Sequence, residues 1–330
     1  MINGGINLMS MLDFEKKVLY PFGCFIFILL AYFTGEAIGQ SLQNVKYMKL
    51  IGRLLGLFFL LFSIFVCVLL SDETKSRKGR KQILSKIIPY RKIKFLDIIL
   101  IIIITVLSLP LIESLSLLGI NLFGDYTIQF TEIRKNMDFT LFVIALAILG
   151  PISEELMIRG FVLYQLRTYH PIIAISIPVI LFSIIHQNPH QALYTIPSSV
   201  LYTLLAVATG SILAPILAHI VHNFAVALNS TYFSEVAITD WRVVSVCTTV
   251  AVILVCVFLK NNKISCSWKG TDTNLLPPFI YLMLNTLFIV LNTFQYSLFI
   301  FAITASFITY VLLRIKELKN KRASIKNAQV

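Results

Sequence analysis

The chain has 330 residues, of which 57% are hydrophobic and only 13% are charged. The charged share of soluble domains is roughly 25%, so a soluble globule could not cover this much apolar surface. The composition excludes a soluble enzyme, a disordered chain and a disulfide-stabilised secreted domain. The long unbroken apolar runs also exclude a transmembrane β-barrel, whose strands alternate apolar and polar residues. We therefore predict an all-α, polytopic membrane helix bundle.

The net charge of +12 is concentrated in segments between apolar runs. Residues 71–94 hold nine Lys and Arg residues, and the tail after Leu313 holds six more. Such segments are typical of cytoplasmic loops. They indicate a multi-pass protein of the cell membrane with both termini in the cytoplasm, and no nucleic-acid partner. In this orientation Lys46, Lys49 and Arg53 are assigned to the outer side, and residues 71–94 to a solvated loop that also contacts anionic lipid.

Hydropathy predicts about 8–10 membrane-spanning helices, each of about 20 mostly apolar residues. The clearest segments are Tyr20–Ile38, Leu54–Leu70, Ile98–Leu118 and Val243–Leu259. Phe139–Ile152 is followed by polar residues. Further along, the 67 residues from 168 to 234 contain no Asp, Glu, Lys or Arg. They divide into Pro171–Ile185, Ala192–Ala208 and Ile212–Leu228. Finally, Leu275–Leu313 suits two helices with a break near Asn292–Gln295.

The ionisable residues of the apolar segments cluster in one part of the chain. Glu154, Glu155 and Arg159 follow Gly150-Pro151, and all five histidines come in the 67-residue stretch after them: His170, His186, His190, His219 and His222. An ionisable side chain inside a bilayer costs about 2.5–3.5 kcal/mol on insertion scales and marks function by default. The cluster therefore predicts a functional site inside the bundle.

Helical spacing suggests how these side chains work together. Glu155 and Arg159 are four residues apart and can form an ion pair, which leaves Glu154, about 100° around the helix, to point elsewhere. His219 and Asn223 share one helix face, from which both can donate hydrogen bonds to a developing oxyanion. A purely structural packing network is the alternative. His170 and His190, at loop edges, are interpreted as structural, and Pro189 rules out a zinc-protease helix between His186 and His190.

Two helix depths in this topology disagree. Glu154 lies about 15 residues from the outer edge of its span, whereas His186 lies near the outer end of its own span, a mismatch of about 10–15 Å. Either Gly150-Pro151 kinks the helix or the predicted boundaries are wrong.

Three short motifs resemble those of the CPBP family of CAAX-protease and bacteriocin-processing (Abi) membrane proteins. They read Glu154-Glu155-Leu-Met-Ile-Arg159, Phe182-Ser-Ile-Ile-His186 and His219-Ile-Val-His-Asn223. Each motif alone is weak, but all three occur in order and in apolar segments. The resemblance covers roughly residues 140–230. It divides the chain into an N-terminal transmembrane pair with the basic loop (1–94), a CPBP-like catalytic core (95–235) and C-terminal helices with a basic tail (236–330).

The resemblance implies an intramembrane CAAX-type endopeptidase. Glu154 would be the general base and would share a water molecule with His186. The oxyanion hole would be formed by His219 and Asn223. Glu155 and Arg159 would be the supporting pair. Zinc is the alternative, because Glu154, His186 and His219 could form a His₂Glu site. Asn223 suits an oxyanion donor better than a ligand, so we expect no required cofactor.

We expect the substrate to be a membrane-associated peptide or protein: a bacteriocin leader, a peptide pheromone precursor or a CAAX-type C-terminus. A non-enzymatic immunity or membrane-signalling protein that binds a bacteriocin or a signalling partner is the alternative. A transporter is a third possibility, since intramembrane charges also mark ion paths.

Overall fold

The computed structural model describes residues 15–41, 45–71, 77–125, 134–135, 137–232, 239–262 and 270–293. Within these ranges the regular secondary structure is helical, apart from an isolated β-bridge between Tyr169 and Asp272. Seven of the described helices are long and apolar enough to cross a membrane. The predicted all-α, polytopic bundle is therefore confirmed.

Four helices come before the motif-bearing part of the chain. They are α1 (Tyr20–Ser41), α2 (Val45–Leu70), α3 (Arg77–Ile87) and α4 (Phe95–Phe123). Helix α2 begins nine residues before the predicted span at Leu54. Lys49 and Arg53 therefore lie within a candidate membrane-spanning helix and not in a segment before it, while the side of the membrane that they face stays a prediction.

Helices α1 and α2 pack closely through glycines spaced four residues apart on each helix. A Cβ atom added at Gly35 would lie 2.3 Å from the backbone nitrogen of Gly56, and one added at Gly39 would lie 2.2 Å from the Cα atom of Gly52. Such small residues let two backbones approach directly. The next residue after Gly35 is Glu36 and the next after Gly52 is Arg53, so this contact brings an acidic and a basic residue together inside the bundle.

Helix α5 runs without interruption from Phe139 to Gln165. It passes through the polar residues that made its sequence hard to read as one span. Two π-helical stretches, Val143–Leu149 and Leu156–Val162, flank the α-helical segment Gly150–Glu155. π-Helical turns are rare and often occur at functional sites. Here they widen the helix on both sides of the two glutamates.

The full length of α5 accounts for the depth mismatch. Counted from the junction between α5 and the next helix, Glu154 lies 11 residues before Gln165 and His186 lies 15 residues after Pro171. At about 1.5 Å per residue the two depths differ by only about 6 Å. The boundary of the predicted span was wrong, and a kink at Gly150-Pro151 is not needed, since both Leu149 and Gly150 have right-handed helical dihedrals.

Five helices complete the described bundle. They are α6 (Pro171–Ile184), α7 (Pro189–Thr209), α8 (Leu213–Tyr232), α9 (Trp241–Asn262) and α10 (Leu276–Thr293). Helix α6 has only 14 residues, so it is short for a full crossing. The second helix predicted at the C-terminal end, after residue 293, lies outside the described residues.

The buried core runs through the middle of the bundle and includes Phe25 of α1, Ile158 of α5 and Phe182 of α6. Large apolar side chains are exposed on the outer faces, among them Phe62 of α2 and Val246 of α9. An apolar outer face suits contact with lipid acyl chains. The polar residues of the three motifs therefore lie inside the bundle, where most of their surroundings are protein.

Candidate active site

Helix α5 buries Glu155 and Arg159 as an ion pair. The Nη1 atom of Arg159 lies 3.0 Å from Oε1 of Glu155, and both side chains are fully buried. The remaining guanidinium donors bind α7: Nη2 donates to the carbonyl and hydroxyl oxygens of Ser199 at 2.9 and 2.6 Å, and Nε donates to the hydroxyl of Thr203 at 3.2 Å. Arg159 thus connects α5 to α7, and its charge is balanced where it is buried.

The imidazole of His219 lies between the two glutamates of α5. Its Nδ1 atom is 2.9 Å from Oε1 of Glu155, and its Nε2 atom is 3.8 Å from Oε2 of Glu154. The ring also stacks on Tyr202 of α7, with centroids 4.8 Å apart and planes 23° from parallel. Helix α8 therefore presents His219 in one orientation, with one nitrogen held by Glu155 and the other facing Glu154.

His186 comes two residues after the end of α6, and its Nδ1 atom lies 2.8 Å from the carbonyl oxygen of Phe182. A carbonyl oxygen only accepts hydrogen bonds, so Nδ1 carries the proton and Nε2 of the neutral ring has a lone pair. The Phe182 ring lies edge-on to His186 and His219, with centroid distances of 5.1 and 5.6 Å, and the Arg159 guanidinium lies 4.5 Å from its centroid. Phe182, which the sequence showed only as a motif position, separates and orients these groups.

Asn223 uses one of its amide N–H groups within the bundle. Its Nδ2 atom donates to the carbonyl oxygen of Leu146 at 3.0 Å, in the π-helical stretch that precedes Glu154. A side-chain amide has two N–H donors, so this bond fixes the amide and leaves a second N–H for another acceptor. Asn223 is thus attached to α5 one helical turn beyond His219.

Two further charged residues of the site were not identified from the sequence. Arg53 of α2 places Nη1 3.9 Å from Oε1 of Glu154, and its Nε lies 3.3 Å from Oε1 of Glu36 on α1. Arg53 also donates a hydrogen bond to the hydroxyl of Tyr32. The available signal was Glu36 itself, an acidic residue within the predicted span Tyr20–Ile38, because intramembrane charges are functional by default.

The other three histidines have contacts away from Glu154. His222 lies 2.8 Å from the hydroxyl of Tyr202, and His190 is buried with its Nε2 atom 2.9 Å from the hydroxyl of Ser116. His170 precedes α6 and accepts a hydrogen bond from the backbone N–H of Ile172. These contacts connect helices or cap a helix, in keeping with the structural interpretation of His170 and His190.

A zinc site would need at least three suitably placed donor side chains. Among the described residues, no group of three or more His, Cys, Asp or Glu side chains is arranged so that it could hold a metal ion. In the alternative set of Glu154, His186 and His219, Nδ1 of His219 binds Glu155 and its Nε2 atom faces Glu154 at 3.8 Å. As arranged, these side chains do not form a three-ligand metal site.

Residues 136–225 match the family model described as Rce1-like, type II CAAX prenyl endopeptidase. This match confirms the family resemblance. The matched stretch contains all three motifs, whereas α1 and α2, with Glu36 and Arg53, lie outside it. No curated protein and no solved structure matches the chain. The family is one of membrane CAAX-type endopeptidases, which makes proteolysis the activity to test.

Proposed function

We propose that the protein is a membrane-embedded endopeptidase that hydrolyses a peptide bond of a membrane-associated substrate. The observation that carries the proposal is the position of His219, whose two nitrogens face Glu155 and Glu154 inside a chain segment with the family's three motifs. A carboxylate and an imidazole at this distance, inside an apolar bundle, are the groups that general-base hydrolysis requires.

In the proposed reaction, Glu154 activates a water molecule. The carboxylate takes one proton of the water, while the lone pair on Nε2 of His186 accepts a hydrogen bond from the second O–H. The water oxygen attacks the carbonyl carbon of the scissile bond and forms a tetrahedral intermediate. Glu154 then returns its proton to the leaving nitrogen, the C–N bond breaks, and a carboxylic acid and an amine result.

His219 and Asn223 are the proposed donors to the oxyanion of this intermediate. In this role both nitrogens of His219 would act as donors, Nδ1 to Oε1 of Glu155 and Nε2 to the oxyanion. The second amide N–H of Asn223 is the other donor. Preorganised donors of this kind typically contribute about 10²–10³ in kcat each.

Glu155 and Arg159 support the site without taking part in bond breaking. Their ion pair, the Ser199 contacts and the Phe182 ring keep His219 in one orientation. We propose that the hydrolysis requires no metal ion, because the described side chains do not form a three-ligand metal site.

We propose that the substrate enters from the bilayer and is a lipidated CAAX-type C-terminus, a bacteriocin leader or a peptide pheromone precursor. The outer faces of the bundle are apolar, and the site lies inside it. A substrate anchored in or on the membrane would therefore reach the site directly from the bilayer. A soluble folded protein would have no such route.

The test is cleavage by the full-length protein reconstituted in lipid vesicles, read by mass spectrometry on a panel of prenylated CAAX peptides and leader-type peptides. We expect Glu154→Gln to abolish cleavage, while Glu113→Gln retains it. Glu113 is a matched control, since it is an intramembrane carboxylate of α4 next to Asn229. Cleavage that survives Glu154→Gln would overturn the proposal.

Two further arms separate the alternatives. Loss of cleavage on chelation, restored by zinc, would replace the metal-free mechanism with a metal-dependent one. No cleavage of any peptide, together with cellular immunity or signalling that is unaffected by Glu154→Gln, would identify a binding protein of the same fold.

A further inference from the structure

A cation close to Glu154 comes from a part of the chain outside the family match. Arg53 belongs to α2, and its Nη1 atom lies 3.9 Å from Oε1 of Glu154. The opposite oxygen, Oε2, is the one that faces Nε2 of His219 at 3.8 Å. The two oxygens of one carboxylate therefore face two different groups, and together these contacts define the rotation of the carboxylate about its last bond.

The guanidinium of Arg53 also contacts two residues of α1. Glu36 lies 3.3 Å from Nε, and Tyr32 accepts a hydrogen bond from Nη1. Only 18% of the Arg53 side chain is exposed. A long flexible side chain would otherwise adopt many rotamers, and these contacts select one that reaches α5.

Helix α5 accommodates Arg53 on the face that carries Glu154. Gly150 lies one turn before Glu154, and a Cβ atom added at Gly150 would be 3.7 Å from Cζ of Arg53. The guanidinium therefore lies against this part of the helix. On the other side, the glycine contacts between α1 and α2 leave little freedom for the backbones next to Glu36 and Arg53.

We propose that Arg53 is a positioning residue for Glu154, and that Glu36 positions Arg53 in turn. The N-terminal hairpin α1–α2 would then be part of the catalytic apparatus and not only a membrane anchor. The inference rests on the proposed function for its effect on cleavage, but the contact itself can be tested without any activity. Its physical basis is that a small misplacement of a reacting group can lower the rate about 100-fold.

The activity arm compares two substitutions of Arg53 in the vesicle assay. Arg53→Met should lower kcat about 10- to 100-fold with KM within about twofold of wild type, because the base is misplaced while the rest of the site is intact. Arg53→Lys keeps the charge and should recover most of kcat. Glu36→Gln should have an intermediate effect. Lys260→Met, which removes an exposed cation from the last turn of α9, should stay within about twofold of wild type.

The stability arm is a double-mutant cycle in detergent micelles that does not require a substrate. The thermal unfolding temperature is measured for Arg53→Met, Glu154→Gln and the double variant. If the two side chains interact, the shift of the double variant differs from the sum of the single shifts. A cycle with Lys260→Met in place of Arg53→Met should be additive.

The outcomes separate this inference from the proposed function. Wild-type kcat in Arg53→Met, or an additive cycle, would overturn the positioning role even if Glu154→Gln abolishes cleavage. A loss of activity that Arg53→Lys does not recover would also overturn it, because it would indicate a role other than charge. If the wild-type protein cleaves no peptide while the cycle is non-additive, the contact stands and the proposed function fails.

Discussion

The Nδ1 atom of His219 lies 2.9 Å from Oε1 of Glu155, so the first and third motifs are joined by a direct hydrogen bond. The same carboxylate oxygen accepts a hydrogen bond from Arg159 at 3.0 Å. The other oxygen, Oε2, has no hydrogen-bond partner among the described residues. Glu155 therefore connects α5 to α8 through one atom, which suits a supporting group better than a base.

Glu155→Gln should destabilise the protein strongly although it preserves the shape of the side chain. The substitution leaves the fully buried guanidinium of Arg159 without a counter-charge. Breaking one partner of a buried ion pair typically costs about 3–5 kcal/mol of unfolding free energy. Denaturant unfolding in detergent micelles measures this loss, and a change below about 1 kcal/mol would show that the pair is not buried as a pair.

Arg159→Met combined with Glu155→Gln provides the control. The double variant should lose less stability than the sum of the two single variants, because neither charge is then left alone in the core. Additive losses would mean that the two side chains act separately.

Tyr202 should contribute to cleavage through its ring and to stability through its hydroxyl. Tyr202→Phe keeps the ring stacked on His219 and loses the bond to His222, so we expect a loss of about 1–3 kcal/mol in unfolding free energy with cleavage retained. Tyr202→Leu also removes the stacking and should lower kcat about tenfold or more, because the imidazole is no longer held in one orientation. Equal kcat in both variants would contradict this division.

The residues of the three motifs could be found from the sequence because they are polar groups in apolar segments at helical spacing. The pairing of Glu155 with Arg159 follows from their separation of four residues and is seen in the structure. What spacing could not give is the partner of each atom across helices. The sequence predicted that His219 faces an oxyanion, but not that its Nδ1 is bound to Glu155.

Arg53 was missed for a different physical reason. When Lys and Arg residues are counted to assign the membrane orientation, each one beside an apolar run is treated as solvated. The predicted span began at Leu54, so Arg53 was placed just outside the membrane. Helix α2 begins earlier, at Val45, and Glu36 and Tyr32 provide partners for the Arg53 side chain inside the bundle. Besides Glu36, the glycine pairs Gly35/Gly39 and Gly52/Gly56 were a second signal in the sequence, since such pairs mark close helix packing.

Gly35→Ala should separate α1 from α2 and reduce cleavage. A methyl group at this position would lie 2.3 Å from a backbone nitrogen of Gly56, and backbone atoms cannot move aside without shifting a helix. We expect a loss of about 1–3 kcal/mol in unfolding free energy and a lower kcat.

Gly56→Ala is the matched control on the facing helix. Its added methyl group would lie 3.0 Å from the ring of Tyr32 and 3.2 Å from the carbonyl oxygen of that residue, both longer than the 2.3 Å backbone contact at Gly35. Gly56→Ala should therefore be the milder variant in both unfolding and cleavage. The reverse order would contradict the close contact of the two backbones at Gly35.

Tyr169 should make the protein sensitive to alkaline pH at the junction that joins α5 to the segment before α10. The backbone N–H of His170 donates to the carbonyl of Asp272 at 3.0 Å, and that of Asp272 donates to Thr168 at 3.1 Å. Burial of the phenol, with a smaller effect of the nearby Asp272 carboxylate, raises the pKa of Tyr169 to about 12. In the unfolded chain the pKa of tyrosine is about 10.

Because the folded-state pKa is the higher one, the contribution of Tyr169 to stability is complete below about pH 10 and is lost as the pH rises through about 12. Tyr169→Phe has no phenol to ionise, so its unfolding temperature should fall less steeply between about pH 10 and 12 than that of the wild type. Thermal unfolding in a non-ionic detergent at several pH values measures this difference. Tyr90→Phe, at an exposed loop tyrosine, is the control and should follow the wild type. Parallel curves for wild type and Tyr169→Phe would show that ionisation of this phenol does not oppose folding.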